Sequence, residues 1–223
     1  MKCYINTGNK ACTSLVFSRA RVLFVVVLLS TCCSIVLADS FEYDLVSAAI
    51  ERTRYTVKYD GVYRSIDYPG GDVPAGIGVC TDVLIRAYRA VGLDLQKEVH
   101  EDIAAHFDAY PSRRIWGLSK PDTNIDHRRV PNLQVFFERN GEKLPVTGNA
   151  DDYRPGDIVT WMLAGNIPHI GIVTDQMSAD GKRPLVVHNI GSGPSLEDML
   201  FEFRITGHYR YAPGEHGSMS SHP

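Results

Sequence analysis

Two textures divide this chain. As far as Asn140 its apolar residues recur at helical spacing, whereas from Arg154 onward they alternate. Ser40 to Tyr55 carries Leu45, Val46, Ala49 and Ile50 at positions that meet on one helix face. Cys80 to Val91 repeats the pattern with Cys80, Leu84, Ala87 and Val91, and Gly92 is a natural C-terminal stop. Leu95 to Tyr110 predicts a further helix, and Val130 to Asn140 a short one that tolerates Pro131 in its first turn. The strand-like runs are Asp157 to Trp161, His169 to Val173, Leu185 to His188 and Phe201 to Ile205. Helices first and antiparallel strands afterward predict an α+β domain, with N-terminal helices packed on one face of an antiparallel sheet.

The N-terminus reads as an export signal. Lys2, Lys10, Arg19 and Arg21 form a basic leader without an acid, followed by the apolar run Val22 to Leu29. Val36-Leu37-Ala38 suits a signal peptidase, which predicts a leader over 1–38 and a mature start near Asp39. A lipoprotein-type cut before Cys32 and an uncleaved anchor over Val22 to Ala38 are the other two options. In all three the bulk of the chain lies outside the cytoplasm, and a membrane is involved only through a retained leader. The rest, 39–212, is long enough for one domain with a full core, likewise expected to be monomeric. Residues 213–223 form a polar tail.

Removing the leader takes away four of the 23 basic residues and none of the 26 acids, so the mature chain is net acidic. That argues against nucleic-acid binding, which depends on positive charge. The same cut removes Cys3, Cys12, Cys32 and Cys33 and leaves Cys80 alone. An exported chain with one unpaired thiol has a candidate nucleophile. Cys80 stands where a helix begins, and the N–H groups there are expected to stabilise a thiolate.

Such a nucleophile needs a base and a group to orient it. His169 opens one strand and His188 closes the next, across a loop from Thr174 to Pro184. A register centred on that loop puts the two histidines side by side on one face. Asn189 would point to the other face, and a one-residue slip would exchange the two, so Asn189 is the reserve candidate. No His-Glu-x-x-His or paired-cysteine pattern occurs, and no cofactor is expected. Zinc held by His169, His188 and an aspartate is the rival chemistry.

These residues resemble a known family. Cys80 at a helix start, then Arg154-Pro155-Gly156-Asp157-Ile158-Val159, His169-Ile170-Gly171-Ile172-Val173 and Val187-His188 are similar in order to the NlpC-type cell-wall peptidases of the papain-like superfamily. Tyr68-Pro69-Gly70-Gly71 resembles the tyrosine and paired glycines that precede the nucleophile there. Val79-Cys80-Thr81-Asp82-Val83 and Asn124 to Asn132 are closer to an uncharacterised bacterial family of the same superfamily. The resemblance implies a papain-like fold in the periplasm or envelope of a bacterium. It also implies a thiol hydrolase cutting amide bonds in peptidoglycan peptides: Cys80 attacks, His169 serves as base then acid, and His188 orients it. Tyr68 and the Cys80 N–H would hold the oxyanion. Family members read Asp-Cys-Ser-Gly around the nucleophile, where this chain has Val79-Cys80-Thr81-Asp82. Asp82 is therefore read either as a substitute contact for the substrate's amino end or as a first-turn helix stabiliser. Arg128 and Arg129 are read as a carboxylate clamp or as part of a surface loop held by salt bridges.

Overall fold

The computed structural model describes residues 41–212. The expected leader over 1–38 and the tail over 213–223 lie outside the described residues. Five α-helices are seen: α1 through residues 41–52, α2 Cys80–Ala90, α3 Leu95–Ala105, α4 Ser112–Trp116 and α5 Val130–Asn140. The strands are β1 Lys58–Tyr59, β2 Ile77–Gly78, β3 Glu142–Lys143, β4 Ile158–Leu163, β5 Ile167–Met177, β6 Pro184–His188, β7 Ser195–Glu197 and β8 Arg204–Arg210. β1 and β2 pair in parallel; the others form one antiparallel sheet in the order β3-β8-β4-β5-β6-β7. The architecture is therefore mixed α/β with an antiparallel six-stranded sheet. Among the described residues no helix is long and apolar enough to cross a membrane.

The sheet has two apolar faces. Ile158, Ile170, Ile172, Val187 and Tyr209 pack with the helices, including Leu84, Tyr88, Leu133 and Phe137. Val159, Trp161, Val173 and Val186 form a second cluster on the other face with Tyr153, Met199 and Leu200. Burial on both faces explains why β4 to β6 read as near-continuous apolar runs. Trp161 ends this second cluster with its polar edge satisfied, donating Nε1–H to Leu200 O at 2.9 Å.

α2 begins where its sequence allows. Val79 is extended, and Asp82 accepts the Val79 N–H on Oδ2 at 2.7 Å, which satisfies a backbone donor at the helix start. The helix closes before Gly92, whose φ of 89° suits glycine. α3 stops at Ala105, and the remainder of the expected helix becomes a 3₁₀ turn, Phe107–Ala109, after the non-helical His106. The last strand is displaced from Phe201–Ile205 to Arg204–Arg210. A turn closed by Glu202 N–H on Met199 O occupies the preceding residues, and Phe201 and Phe203 pack on the second cluster from there.

The Pro155-Gly156-Asp157 turn anchors the sheet. Gly156 has φ 88°, and Asp157 Oδ2 accepts the Arg154 N–H at 2.8 Å. The fully buried Asp157 side chain also meets His208 Nε2 at 2.8 Å and accepts Arg210 Nε–H at 2.9 Å. The start of β4 is thereby tied to β8.

β5 and β6 form the expected hairpin, but β5 runs on to Met177, so the connection shortens to 178–183. Ile172 pairs with Val187 and Val173 with Val186. One step further along that register places Gly171, not His169, opposite His188. The two histidines are therefore diagonal neighbours, displaced by two positions, and an even displacement keeps them on one face.

Gly171 makes the diagonal possible. A Cβ there would stand 2.7 Å from Val186 Cγ1, 2.9 Å from Val187 O and 3.2 Å from His188 Cβ. Its absence lets the His188 ring cross the strand to His169. Gly171→Ala is expected to lower stability by about 1–3 kcal/mol through overpacking. A urea unfolding midpoint equal to that of the parent chain would refute this account of the glycine.

Candidate functional site

The His169 Nε2 and His188 Nδ1 atoms are 3.0 Å apart, and His188 Nε2 lies 3.3 Å from Glu197 Oε2. The ring planes meet at 89°, and His169 is flanked by Trp161 at 6.0 Å between centroids. Both histidines are buried. A carboxylate only accepts hydrogen bonds, so His188 donates Nε2–H to Glu197 and presents Nδ1 as an acceptor. His169 then donates Nε2–H to it, which makes Nδ1 its basic nitrogen. Burial, and secondarily the charge of His188, push His169 down to about 3. Burial also lowers His188, against the opposing pull of Glu197. At neutral pH the pair is uncharged. Glu197 was not legible as a partner: its strand, β7, has three residues, and its place near His188 comes from pairing with β6.

Cys80 is the first residue of α2, the free cysteine among the described residues, and buried. Its sulfur is approached by the backbone N–H of Ile170, the residue after His169. Strand N–H groups point sideways and alternate. Val173 N–H bonds to Asp157 O on the β4 side, so Ile170 N–H points to the β6 side. β6 ends at His188, opposite Gly171. The side chains of His169, Gly171 and Val173 share the face of the second cluster, whereas α2 packs against Ile170 and Ile172 on the first. Cys80 itself packs in the first cluster, with Ile170, Ile172 and Val187.

The expected thiolate at the helix start is corrected by burial. Desolvation pushes the Cys80 thiol up to about 11, and Asp82 adds to it, outweighing the N–H groups of Ile170, Thr81 and Cys80. At rest the sulfur is a protonated thiol.

Tyr68 is not brought to Cys80. Its turn is tied to α3, where Gly70 N–H bonds to Asp94 Oδ2 at 2.7 Å and Gly71 N–H to Gln96 Oε1 at 2.8 Å. The Tyr68 ring packs edge-on against His100, 5.0 Å away. Tyr59 shares the pocket wall with Cys80 instead; burial, then the neighbouring Cys80 and Asp82, raise its phenol to about 12. The parallel pair β1–β2 puts it there, because Tyr59 lies opposite Gly78, two residues before Cys80. A two-residue strand leaves no periodicity to read.

Asp82 is buried and engaged. Arg128 donates Nε–H to Oδ1 at 2.8 Å and Nη2–H to Oδ2 at 2.9 Å, beside the Val79 N–H. This favours the helix-stabilising role over contact with a substrate amine. Arg128 is likewise spent on Asp82, so a clamp of two free arginines does not form. Asn189 is buried, and its Oδ1 accepts the N–H groups of Gly191 at 3.0 Å and Gly193 at 3.2 Å. The residue that meets His169 is His188.

A pocket of about 620 Å³ opens beside Cys80, with Tyr59, Trp116, Arg129, Val130 and Pro168 in its wall. Among the described residues no group of three or more His, Cys, Asp or Glu could hold a metal ion. His169 and His188 are turned toward each other, and the proposed zinc ligand set does not form there.

The sequence family described as "Domain of unknown function (DUF1287)" matches residues 46–211, which includes Cys80, both histidines and the whole sheet. The chain is also similar to a protein of Escherichia coli (strain K12) named "Uncharacterized protein YijF". The two are 50% identical over 167 residues, 75% of this chain and 80% of the relative.

Proposed function

We propose that this chain, which belongs to the DUF1287 family, is an exported papain-like thiol hydrolase that cuts amide bonds in peptidoglycan peptides. The observation that carries the reading is the Glu197–His188–His169 hydrogen-bond chain, which leaves Nδ1 of His169 basic one residue from the N–H that meets the Cys80 sulfur. Cys80 Sγ attacks the amide carbonyl carbon while His169 Nδ1 takes the thiol proton. The oxyanion is held by the Cys80 N–H and the Tyr59 hydroxyl. The carbon–nitrogen bond then breaks, and the imidazolium returns its proton to the departing amine. Water hydrolyses the thioester with His169 again as base.

Because the resting pair is uncharged, proton transfer accompanies attack. This has a sign for pH. The lowered His169 is neutral above about pH 3, and the raised thiol keeps its proton up to about pH 11. Wild-type protein incubated with purified peptidoglycan is expected to release peptide fragments detectable by mass analysis, with kcat/KM flat from about pH 5 to 9. Absence of fragments would overturn the hydrolase; an acid limb near the ordinary histidine pKa, about 6.5, would overturn the buried-base mechanism.

The raised thiol favours one further reading, a cell-wall-binding module that keeps the fold without turnover. It predicts wall binding with no fragment release by the wild type.

A further inference from the structure

The pocket beside Cys80 carries a cation that the protein does not fully compensate. Arg128 and Arg129 both reach this pocket, and Arg128 is neutralised by its two bonds to Asp82. The Arg129 guanidinium carbon lies over the Trp116 ring, 4.1 Å from its centroid. Its nearest carboxylate oxygen, Asp126 Oδ1, is 3.7 Å from Nη1, beyond hydrogen-bond reach. Nη1 and Asp126 Oδ1 are both buried without a hydrogen-bond partner. Burial raises the Asp126 carboxyl to about 6, which leaves it mostly ionised at neutral pH, so its weakness as a counter-ion lies in that distance. Its other oxygen accepts the Asp122 N–H at 2.6 Å. Desolvation of Arg129 outweighs the help of Asp126, Asp122 and Tyr63 together.

The backbone adds to the same field. Arg129 is the N-cap residue of α5 and makes no side-chain cap bond, so the positive end of this 11-residue helix opens at the pocket wall with Val130 and Pro131. α2 presents its own N-terminus there at Cys80. Two helix starts and one undercompensated guanidinium converge on the cavity that holds the candidate nucleophile.

We infer that Arg129 receives a free carboxylate of the substrate, lying within about one residue of the scissile amide. This rests on the hydrolase reading and narrows its substrate class to peptides with an anionic group beside the cut. Trp116 holds the guanidinium plane in place, so the fork is oriented before the peptide arrives. A neutral or amidated peptide leaves the guanidinium without its partner and loses one charge-assisted pair.

The test uses the full chain carrying Cys80→Ala, so that binding is read without turnover. A tetrapeptide muropeptide purified from peptidoglycan, and the same compound with its carboxyls amidated, are titrated by calorimetry. Amidation is expected to weaken binding about 10- to 100-fold, the worth of one charge-assisted pair. Arg129→Gln is expected to weaken the native peptide by a similar factor and to bind the two forms alike. Arg129→Lys retains part of the preference. Equal binding of both forms by the Cys80→Ala chain, no binding of either, or discrimination that survives Arg129→Gln overturns the inference. The first two outcomes need no Arg129 variant, so a folding defect in Arg129→Gln leaves the test intact. Carboxylate-dependent binding without fragment release by the wild type supports this inference and overturns the hydrolase alone. Fragment release indifferent to amidation does the reverse.

Discussion

Cys80→Ala abolishes release of peptide fragments from peptidoglycan, with an expected fall in turnover of at least about a thousandfold. No neighbouring group can replace the sulfur: Cys80 is the free cysteine among the described residues, and Tyr59, the hydroxyl beside it, is held protonated by a pKa of about 12. The fold should survive. The change removes one atom from a site that is 5% exposed, for about 1 kcal/mol of stability. Undiminished turnover would remove Cys80 from the chemistry. If the variant and the wild type bind the wall equally and neither releases fragments, the wall-binding reading replaces the hydrolase.

Asp82→Asn produces the largest expected loss of stability. The Asp82 and Arg128 side chains are 3% and 2% exposed, and their pairing is bidentate. Neutralising Asp82 leaves a buried guanidinium without its charge partner, a change of about 3–5 kcal/mol. That is a large share of the roughly 5–15 kcal/mol that holds a domain together. The damage is local as well, because Arg128 ties the turn Asp126–Arg128 to the first turn of α2, where Cys80 stands. Urea unfolding of the variant checks it, and a loss below about 1 kcal/mol would mean that the pair contributes little. Replacing both partners together, Asp82→Leu with Arg128→Met, is expected to recover most of the stability, since two matched apolar side chains leave no buried charge.

These expectations differ in how much of their basis was written in the order of residues. The helix at Cys80 and the strands carrying His169 and His188 follow from short-range periodicity and form there, although β5 extends past the expected run at both ends. The shared face of the two histidines was also legible, since parity along a strand survives an even shift of register. The diagonal itself was not, because it depends on where the 178–183 connection turns and on the room left at Gly171. Glu197, Tyr59 and the Asp82–Arg128 pair were less legible still. Each depends on segments far apart in sequence or on strands too short to carry a pattern.

The sequence by itself determined the single cysteine after residue 38, the hairpin of histidines and the helix-then-strand order, because each rests on composition or on local repeats. The tertiary structure decided the state of that thiol and the duty of each charged neighbour. A helix start favours a thiolate wherever it occurs, but the cost of desolvation depends on what packs around the sulfur, and here it wins. The two adjacent arginines look alike in sequence. Only the packing separates Arg128, consumed by a buried aspartate, from Arg129, which lies over Trp116 with its nearest carboxylate oxygen 3.7 Å away.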